Sequence, residues 1–384
     1  MLLWILDWLE TWGRVEGIEP DLGPARVLRY ITVRTTLGLM LAFVISMVIG
    51  PAVIRRLVAL GAGQVIRTTT STGAINLSDM HGAKSGTPTM GGLIILFSLV
   101  LPVLLLCRLD NIYVILLLTM TFGYGALGFW DDYLKVVEHH HKGVPGHRKL
   151  LIQGALALLL AFTLMAGRWK VHYAPTGDVG YPYLTLPFLK DLYFDLGWWF
   201  VPFVVLVLLA TSNAVNLTDG LDGLAIGVSI ANVAAFLVIA YLVTRSDFSE
   251  YLYVPYIAGG GEIVVFLGVL LGASLGFLWF NAPPAQVFMG DTGSMMLGGV
   301  IGSTAIFLKQ ELLLVVIGGV FVIEALSVIL QVGCFKLTGT RLLRMSPLHH
   351  HFEKKGIAES KIIIRFWLIS WLLAIVGLGL LKLR

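Results

Sequence analysis

The chain has 384 residues, of which 57% are hydrophobic and only 13% are charged, and its mean hydropathy is +0.86. Because soluble domains carry about a quarter charged residues, this composition excludes an ordinary water-soluble fold. The net charge of +4 is too small and too scattered to indicate nucleic-acid binding. The two cysteines, Cys107 and Cys334, lie in apolar blocks, so neither a disulfide framework nor a cysteine metal site is expected.

The apolar residues form blocks of about 17–25, the length that crosses the hydrocarbon core as a helix. The chain is therefore predicted to be an all-α polytopic membrane protein, a single integral membrane domain over residues 1–384 with about ten transmembrane helices. Their predicted positions, in chain order, are 36–54, 90–107, 113–130, 150–167, 197–214, 222–243, 263–280, 295–308, 312–335 and 363–381.

The segments outside these helices also carry information. Met1–Trp12 is apolar and Trp-rich, but it contains Asp7 and lacks a basic start, which favours an external, interfacial segment within 1–35 over a signal peptide. Turn residues at Thr176-Gly177-Asp178 predict a short external β-hairpin. Lys and Arg are more frequent at one end of the predicted helices, and every polar cluster lies at that end. Both termini are therefore expected outside and the polar end in the cytoplasm.

A pair of acidic residues, Asp131-Asp132, closes the third predicted helix. Adjacent carboxylates repel each other, so a site that keeps both usually holds a cation or uses one carboxylate as a proton acceptor. A solvated helix end is an equally good interpretation of this pair taken alone.

A second cluster lies between the fifth and sixth helices. Asn216, Asp219 and Asp222 are three residues apart, which on a helix places them on a shared polar stripe. Gly220 and Gly223 allow the backbone to approach a ligand closely. The alternative is a plain polar turn, which does not need this density of polar residues.

A third cluster begins at Asn281 and leads to Asp291, just before the eighth predicted helix. Pro283 and Pro284 exclude a helix between them. Asp291 is suited to hold a cation beside a phosphate, and Phe288 is suited to stack on a base. Asp291 is also a candidate N-cap of the eighth helix, and the two interpretations are compatible.

A fourth cluster, which begins at Lys84, precedes the second helix and includes Pro88, Thr89, Gly91 and Gly92. This composition is typical of a helix start whose free N–H groups, together with one lysine, attract phosphate. It is not a Walker sequence, so it indicates phosphate binding only in combination with other motifs.

Two further groups contain histidine. We expect His349, His350 and His351 to contact a pyrophosphate or to position a nucleotide, because no cysteine or carboxylate set at metal spacing accompanies them. The other triplet, His139–His141, is interpreted as a solvated run.

A polar face is predicted within the ninth helix, where Glu324, Ser327 and Gln331 fall at i, i+3 and i+7. A carboxylate in lipid is costly, so Glu324 should face a cavity or a partner. A functional role and a packed polar network are equally compatible with this pattern.

Acidic residues for a hard cation, a phosphate-binding helix start and basic side chains together indicate Mg²⁺-dependent phosphoryl transfer at one membrane face. The candidate catalytic residues are Lys84, Asp131, Asp132, Asp219, Asp222, His349, His350 and His351. The candidate substrate-binding residues are Thr89, Lys149, Asn216, Asn281, Phe288 and Gln331, and the candidate metal ligand is Asp291.

Five runs resemble, in order, the signatures of the phospho-N-acetylmuramoyl-pentapeptide transferase family, within the wider superfamily of polyprenyl-phosphate N-acetylhexosamine-1-phosphate transferases. These runs are Lys84-Ser-Gly-Thr-Pro-Thr-Met-Gly-Gly, Gly128-Phe-Trp-Asp-Asp-Tyr, Asn216-Leu-Thr-Asp-Gly-Leu-Asp-Gly, Val287-Phe-Met-Gly-Asp-Thr-Gly-Ser and Pro347-Leu-His-His-His-Phe-Glu. The resemblance implies transfer of phospho-MurNAc-pentapeptide from UDP-MurNAc-pentapeptide to undecaprenyl phosphate. The products would be lipid I and UMP, in the first membrane step of peptidoglycan synthesis at the bacterial inner membrane.

By matching motif positions, the resemblance implies that Asp291 binds Mg²⁺ and that Asp131 deprotonates the lipid phosphate. It places Asn216, Asp219, Asp222 and Phe288 around the nucleoside and pyrophosphate, and it makes Lys84 and Lys149 basic positions of the site. The chain departs from the family after Asp132, where His139–His141 stand in a loop that usually has more lysine. A homodimer in the lipid bilayer is compatible with the resemblance.

Two alternatives differ from this prediction. A UDP-GlcNAc:undecaprenyl-phosphate GlcNAc-1-phosphate transferase would share the Asp motifs, but the unbroken His motif after Pro347 favours the muramoyl-pentapeptide branch. A transporter of an anionic substrate would have inverted repeats and broken helices near the bilayer midplane, whereas these motifs lie at one face.

Overall fold

The computed structural model of this chain describes residues 1–15, 23–61, 86–138, 140, 143–167, 171–173, 177–186 and 193–382. Helices dominate these ranges. In chain order they are α1 (Leu2–Val15), α2 (Ile31–Ala59), α3 (Gly92–Leu106), α4 (Ile112–Val136), α5 (Gly146–Ala166), α6 (Phe200–Thr218), α7 (Leu224–Val243), α8 (Ser246–Leu252), α9 (Gly261–Asn281), α10 (Gly290–Phe307), α11 (Leu313–Ile317), α12 (Gly319–Thr338), α13 (Leu348–Glu353) and α14 (Glu359–Leu380). Short 3-10 helices cover Gly23–Arg29 and Gly197–Trp199.

Within the described ranges, eight helices are long and apolar enough to cross a membrane, namely α2, α4, α5, α6, α7, α9, α12 and α14. Helix α3 has 15 residues, and α10 has 18 residues with many Gly, Ser and Thr. Both lie in the same bundle. Each of the ten predicted spans therefore falls on a helix, and the prediction of an all-α polytopic membrane protein is confirmed.

Helix α10 lies at the centre of the bundle, since every residue from Thr292 to Phe307 is buried. It packs on α4 and α6, while α9 packs on α2 and α7. Gly268, Gly272 and Gly276 recur every four residues on α9, and a Cβ at each would collide with α2. Small residues at this spacing let two helices approach to backbone contact, which favours helix association in a membrane.

The ninth predicted span, 312–335, differs from the structure. It divides into α11 and α12 at the pair Gly318-Gly319, and α12 continues to Thr338 before Gly339, at φ 71°, ends it. Two consecutive glycines lack side chains to hold the helix, so the backbone leaves helical geometry there.

In the described part of the chain, the strands lie at the end of the bundle where α5 ends and α6 begins. Strand β1 (Val171–Tyr173) pairs with β2 (Gly177–Val179) in an antiparallel hairpin, with Val171 opposite Val179. The predicted hairpin is thus confirmed, although Thr176 lies outside the described residues. Its sheet also includes β5 (Tyr256–Ile257), which pairs with β1, and a separate hairpin joins β3 (Tyr183–Thr185) to β4 (Tyr193–Asp195).

The two ends of the described chain lie at this same strand-bearing end. The Met1 amino group donates to the Leu104 carbonyl, 2.8 Å away, near the end of α3. The Lys382 ammonium donates to the Tyr251 carbonyl, 2.9 Å away, on α8. The polar clusters of the sequence lie at the opposite end of the bundle, which we call the site end. Neither Cys107 nor Cys334 forms a disulfide, as expected.

Candidate active site

Two carboxylates from different helices meet at the site end and share two lysines. The Lys149 Nζ, in the first turn of α5, is 2.8 Å from Asp131 Oδ2 and 2.8 Å from Asp291 Oδ2. The Lys135 Nζ, on α4, is 3.1 Å from Asp291 Oδ2 and also pairs with Asp131. Asp131 is fully buried, whereas the lysine side chains keep 21% and 32% of their surface exposed. The two lysine side chains are therefore more exposed than the Asp131 carboxylate that they contact.

The neighbouring carboxylate, Asp132, makes different contacts. Its Oδ1 accepts the Asp291 N–H at 3.1 Å, and its Oδ2 accepts the N–H and the hydroxyl of Thr292 at 2.9 and 2.7 Å. Asp132 thus caps the first turn of α10 from another helix, where a negative charge is favourable. The expectation that Asp291 is itself the N-cap is wrong, because α10 begins at Gly290 and Asp291 lies inside its first turn.

Close backbone approach brings these carboxylates together. A Cβ at Gly128 on α4 would collide with the Asp291 carbonyl, and a Cβ at Gly92 would collide with the backbone of Gly293. Helices α3 and α4 therefore touch the start of α10 without intervening side chains. This contact places Asp131, one turn beyond Gly128, beside the Asp291 carboxylate.

Asn216 is the third side chain of the centre. Its Nδ2 donates to Asp291 Oδ1 at 2.9 Å and lies 2.9 Å from Ser294 Oγ. The predicted helical stripe that would join Asn216 to Asp219 is wrong, because α6 ends at Thr218 and Asp219 leaves the helix with ψ 56°. Asn216 therefore reaches the centre from the last turn of α6, whereas Asp219 reaches it from the loop that follows.

The Asp219 carboxyl, just beyond the end of α6, accepts the backbone N–H of Gly290. Its pKa is raised well above its ordinary value, mainly because burial removes its hydration and further because the Asp291 and Asp132 carboxylates lie nearby. Asp219 therefore belongs to the same electrostatic centre.

Asp222 and Asn281 join two loops of the site. The Asp222 Oδ2 accepts the Ala285 N–H at 3.1 Å. The Asn281 Oδ1 accepts the Gly223 N–H at 3.0 Å, and its Nδ2 donates to the Val287 carbonyl at 2.8 Å. These three hydrogen bonds join side chains to backbone, and they help to fix the shape of the site. As predicted from its two prolines, the segment between α9 and α10 is not helical.

The predicted phosphate cradle before α3 is wrong in one respect. The N–H groups of Gly91 and Gly92 are not free, since they donate to the carbonyls of Phe288 and Met289 at 2.8 and 2.9 Å. The Phe288 N–H in turn donates to the Pro88 carbonyl at 2.8 Å. These glycines permit close pairing of two backbone segments, because a Cβ at Gly91 would approach the Phe288 carbonyl to 2.7 Å.

Thr89 and Lys84 are the other candidate site residues of the cluster that precedes α3. Thr89 is buried beside the acidic centre, because a Cβ at Gly290 would lie 2.8 Å from Thr89 Oγ1 and 2.6 Å from Asp132 Oδ2. Lys84 lies outside the described residues. Phe288, whose backbone pairs with Pro88 and Gly91, has a half-buried side chain.

The three consecutive histidines have three different environments. His349 is buried, with 1% of its side chain exposed. His350 Nδ1 is 2.6 Å from Glu353 Oε2, one turn further along α13. His351 Nδ1 accepts the Arg344 N–H at 3.1 Å. The other triplet is described only at His140, which is exposed as predicted, whereas His139 and His141 lie outside the described residues.

The predicted polar face of α12 is present and buried. Glu324 accepts the backbone N–H groups of Leu348 and His349 at 2.9 and 3.1 Å. Gln331 exchanges two hydrogen bonds with the Leu343 backbone, at 2.8 and 3.3 Å. This face therefore holds the histidine segment against the bundle, which is the packed polar network that the sequence left open.

The residues fit a hard divalent cation. Carboxylate oxygens of Asp131 and Asp291 converge on one ammonium nitrogen, that of Lys149, so their spacing already suits a shared positive charge. No three His, Cys, Asp or Glu side chains form a closed metal cage in the described part of the chain. Mg²⁺ usually takes one or two carboxylates, with substrate phosphates and water as its other ligands, so this set is sufficient.

Lys135 is the residue of this centre that the motifs missed. It lies one helical turn after Asp131, and charged residues at i and i+4 meet on a helix. The i, i+4 spacing could therefore have identified Lys135 as a partner of Asp131 from the sequence. Thr292, whose hydroxyl binds Asp132, gave no comparable signal, because a threonine after an aspartate is common at helix starts.

Comparisons with known proteins identify the family of the chain. The family model described as glycosyl transferase family 4 matches residues 114–309, and the phospho-N-acetylmuramoyl-pentapeptide-transferase signature 1 matches residues 84–96. Similar curated proteins carry that transferase name. Those from Citrifermentans bemidjiense and Geobacter sp. are each 48% identical over 358 residues, which is 93% of this chain and 95% of the relative. That from Desulfovibrio desulfuricans is 49% identical over 362 residues, with the same coverage.

Proposed function

This chain belongs to the phospho-N-acetylmuramoyl-pentapeptide transferase family, and from that premise we propose that it transfers phospho-MurNAc-pentapeptide from UDP-MurNAc-pentapeptide to undecaprenyl phosphate. The products are lipid I and UMP, so the enzyme performs the first membrane step of peptidoglycan synthesis. The chain is accordingly a phosphoglycosyl transferase. Its setting is the bacterial inner membrane, which several of its helices are long and apolar enough to span.

One observation carries the proposal, namely the shared contact of Lys135 and Lys149 with Asp131 and Asp291. Phosphoryl transfer depends mainly on positioning the phosphates and neutralising their charge. Two ammonium groups of partly exposed lysines, beside a carboxylate that is the candidate metal ligand, would supply that neutralisation. They lie at one end of a membrane bundle, where a water-soluble nucleotide and a lipid phosphate can meet.

The reaction forms one bond and breaks one. An oxygen of undecaprenyl phosphate attacks the β-phosphorus of the UDP-sugar, and the bond from that phosphorus to the bridging oxygen breaks, which releases UMP. Lys135 and Lys149 bind the charged oxygens of the phosphates. Asn216 and Asp132 hold Asp291 and the start of α10 in place.

Asp131 is the candidate base for the lipid phosphate. Its Oδ1 accepts the Val144 N–H at 2.7 Å, and its Oδ2 faces the two ammonium groups. Both oxygens are thus engaged, which favours orientation of Lys135 and Lys149 as its main task. The lipid phosphate itself has a second pKa of about 6 and is mostly ionised at neutral pH.

Mg²⁺ fits the same centre, with Asp291 as its ligand and the Asp131 carboxylate close by. When bound, the ion would neutralise the negative charge of the pyrophosphate. Around it, Asp219, Phe288 and Thr89 border the space for the nucleotide. Asp222 and Asn281 keep the surrounding loops in position.

The test is turnover by purified protein in lipid nanodiscs with undecaprenyl phosphate, Mg²⁺ and a radiolabelled donor. We expect labelled lipid with UDP-MurNAc-pentapeptide and none above background with UDP-GlcNAc. The reverse preference would assign the chain to the GlcNAc-1-phosphate transferases. Movement of label across sealed vesicles without chemical transfer would indicate a transporter.

A further inference from the structure

Glu324 and His349 form a buried pair below the site. Glu324 Oε2 lies 3.2 Å from His349 Nδ1, and neither side chain has more than 1% of its surface exposed. The same carboxylate also accepts the N–H groups of Leu348 and His349 at 2.9 and 3.1 Å. The first two residues of α13 therefore donate their backbone N–H groups to the Glu324 carboxylate. His349 contacts this carboxylate through both its backbone and its ring.

The contact with Glu324 favours one tautomer of the ring. Carboxylate oxygens accept hydrogen bonds, and each Glu324 oxygen already accepts a backbone N–H, which favours a neutral His349 with its proton on Nδ1. Nε2 then carries a lone pair. A carboxylate behind an imidazole is a recurring way to fix both ring orientation and basicity in functional sites.

The opposite ring nitrogen points at the site. His349 Nε2 is buried, and it has no hydrogen-bond partner among the described residues. It packs against Gly220, so closely that a Cβ there would collide with it. Gly220 lies between Asp219, which belongs to the acidic centre, and Asp222. A buried nitrogen without a partner costs free energy, which a ligand's donor group would recover.

We propose that Glu324 is a positioning residue of the transferase, which holds His349 with a proton on Nδ1 and presents Nε2 as a hydrogen-bond acceptor beside the 219–222 loop. The group that it accepts from is a hydroxyl or N–H of the nucleotide-sugar donor. The inference rests on the proposed function. In this role Glu324, a buried carboxylate on the spanning helix α12, determines which ring nitrogen of His349 carries the proton.

The decisive variant is Glu324→Gln, in full-length protein in nanodiscs. Its amide can accept a backbone N–H, but its NH₂ cannot accept from Nδ1–H, so the ring loses its fixed tautomer. We expect kcat to fall at least tenfold. The matched control is Glu311→Gln, which breaks a buried pair with Lys309 (2.7 Å) at the opposite end and should lower Tm but not kcat.

A double-variant cycle separates positioning from general destabilisation. In a His349→Ala background, Glu324→Gln should cause no further loss of kcat, because Glu324 acts through the ring. Independent, multiplicative losses in kcat, or an unchanged kcat in the single variant, would overturn the proposal. A drop in Tm with normal kcat would reduce Glu324 to a structural cap.

A second readout does not depend on turnover. In histidine-labelled protein, ¹⁵N NMR should show a ring with protonated Nδ1 and unprotonated Nε2 whose signal disappears in His349→Gln. The signal should remain in His350→Gln, because the His350 Nδ1 faces a different carboxylate, that of Glu353. The same signal should change tautomer in Glu324→Gln. If wild-type protein shows this signal but no lipid I synthesis, the proposed function fails while the pair stands. If the signal is absent, the pair is refuted even in an active enzyme.

Discussion

Carboxylates at the site end differ in what occupies their oxygens, and this difference separates their tasks. Asp132 binds backbone and a hydroxyl at the start of α10, whereas Asp291 binds two ammonium groups and one amide. A carboxylate whose partners are lysine ammonium groups and a side-chain amide can exchange the ammonium groups for a metal ion. One that caps a helix cannot do so without uncapping it. Asp291 is therefore the better candidate ligand.

The metal-site assignment gives the first prediction. Asp291→Asn should abolish turnover, and EDTA should abolish it in the wild type, because an amide oxygen is a poorer ligand than a carboxylate for a hard cation. Activity is measured across a range of Mg²⁺ and Mn²⁺ concentrations. The control is Asp247→Asn, an exposed carboxylate on α8 paired with Arg245, which should leave turnover unchanged. Full activity of Asp291→Asn at limiting Mg²⁺ would contradict the assignment.

The buried imidazole gives a prediction about pH. Burial lowers the pKa of His349 below its ordinary value, although Glu324 opposes the shift. The unfolded chain therefore binds this proton more readily than the folded protein does. Stability should fall as the pH drops below about 6.5, the unfolded value, and should be unaffected by this group above it.

The measurement is the thermal midpoint of wild type and His349→Gln between about pH 7.5 and about pH 5, which spans the ordinary histidine pKa. The wild type should lose more of its Tm over this range than the variant. His140→Gln serves as a control, because that side chain is exposed and should leave the wild-type slope unchanged. Equal slopes for wild type and His349→Gln would refute the prediction.

Among the helices, α1 packs on the bundle but is not one of those counted as able to span the membrane. Leu3 and Leu6 are buried against the bundle, while Trp4, Trp8 and Trp12 are exposed at a spacing of four residues and so lie on one face. Ion pairs attach the helix to the strand-bearing end, where Asp7 pairs with Arg29 and Arg108, and Glu10 pairs with Arg29 at 2.6 Å. Tryptophan is typical of the membrane–water boundary. We propose that α1 lies in the outer interface.

A spin label at Trp8→Cys tests this placement in a background that lacks Cys107 and Cys334. Its accessibility to oxygen should be intermediate between that of a label at Asp247, on an exposed loop helix, and one at Ile375, which is exposed on the apolar face of α14. Oxygen partitions into lipid, so the ranking reports depth. A label at Trp8 that matches Asp247 would place α1 in water.

At the scale of the whole molecule, charge is concentrated at the two ends and the bundle between them is apolar. The strand-bearing end has its own buried pairs, such as Arg34 with Glu262 at 2.8 Å, and both of these residues also bond to backbone groups. The site end combines buried carboxylates with partly exposed lysines. The two ends of the bundle therefore differ in how their charged groups are paired.

The distribution of basic residues predicts the orientation in the membrane. The site end should face the cytoplasm and both termini the outside, because Lys and Arg favour the inner side. The test is labelling of Thr340→Cys and Ser246→Cys, both exposed and at opposite ends, with a membrane-impermeant maleimide in intact cells. Only Ser246→Cys should react. Labelling of both from one side would refute the orientation.

Much of the architecture was readable from the sequence because a lipid environment leaves few choices. Apolar blocks of spanning length must be helical, so nine of the ten predicted helices and their approximate ends followed directly, whereas the ninth proved to be broken at Gly318-Gly319. The turn residues near Gly177 predicted a hairpin, and the two prolines before α10 predicted an irregular segment. The family resemblance, carried by five ordered motifs, was confirmed by relatives that cover 93% of the chain.

Only the tertiary structure decided which polar groups meet. Spacing along the chain suggested that Asn216 and Asp219 share a stripe and that Gly91 and Gly92 offer free N–H groups, and both expectations were wrong. A short motif does not reveal where a helix ends or which carbonyl from a distant segment takes an N–H. Likewise, Glu324 is a lone acidic residue in an apolar helix until packing brings His349 to within 3.2 Å of it. Sequence determined the helices and the chemistry available, whereas long-range packing selected the partners.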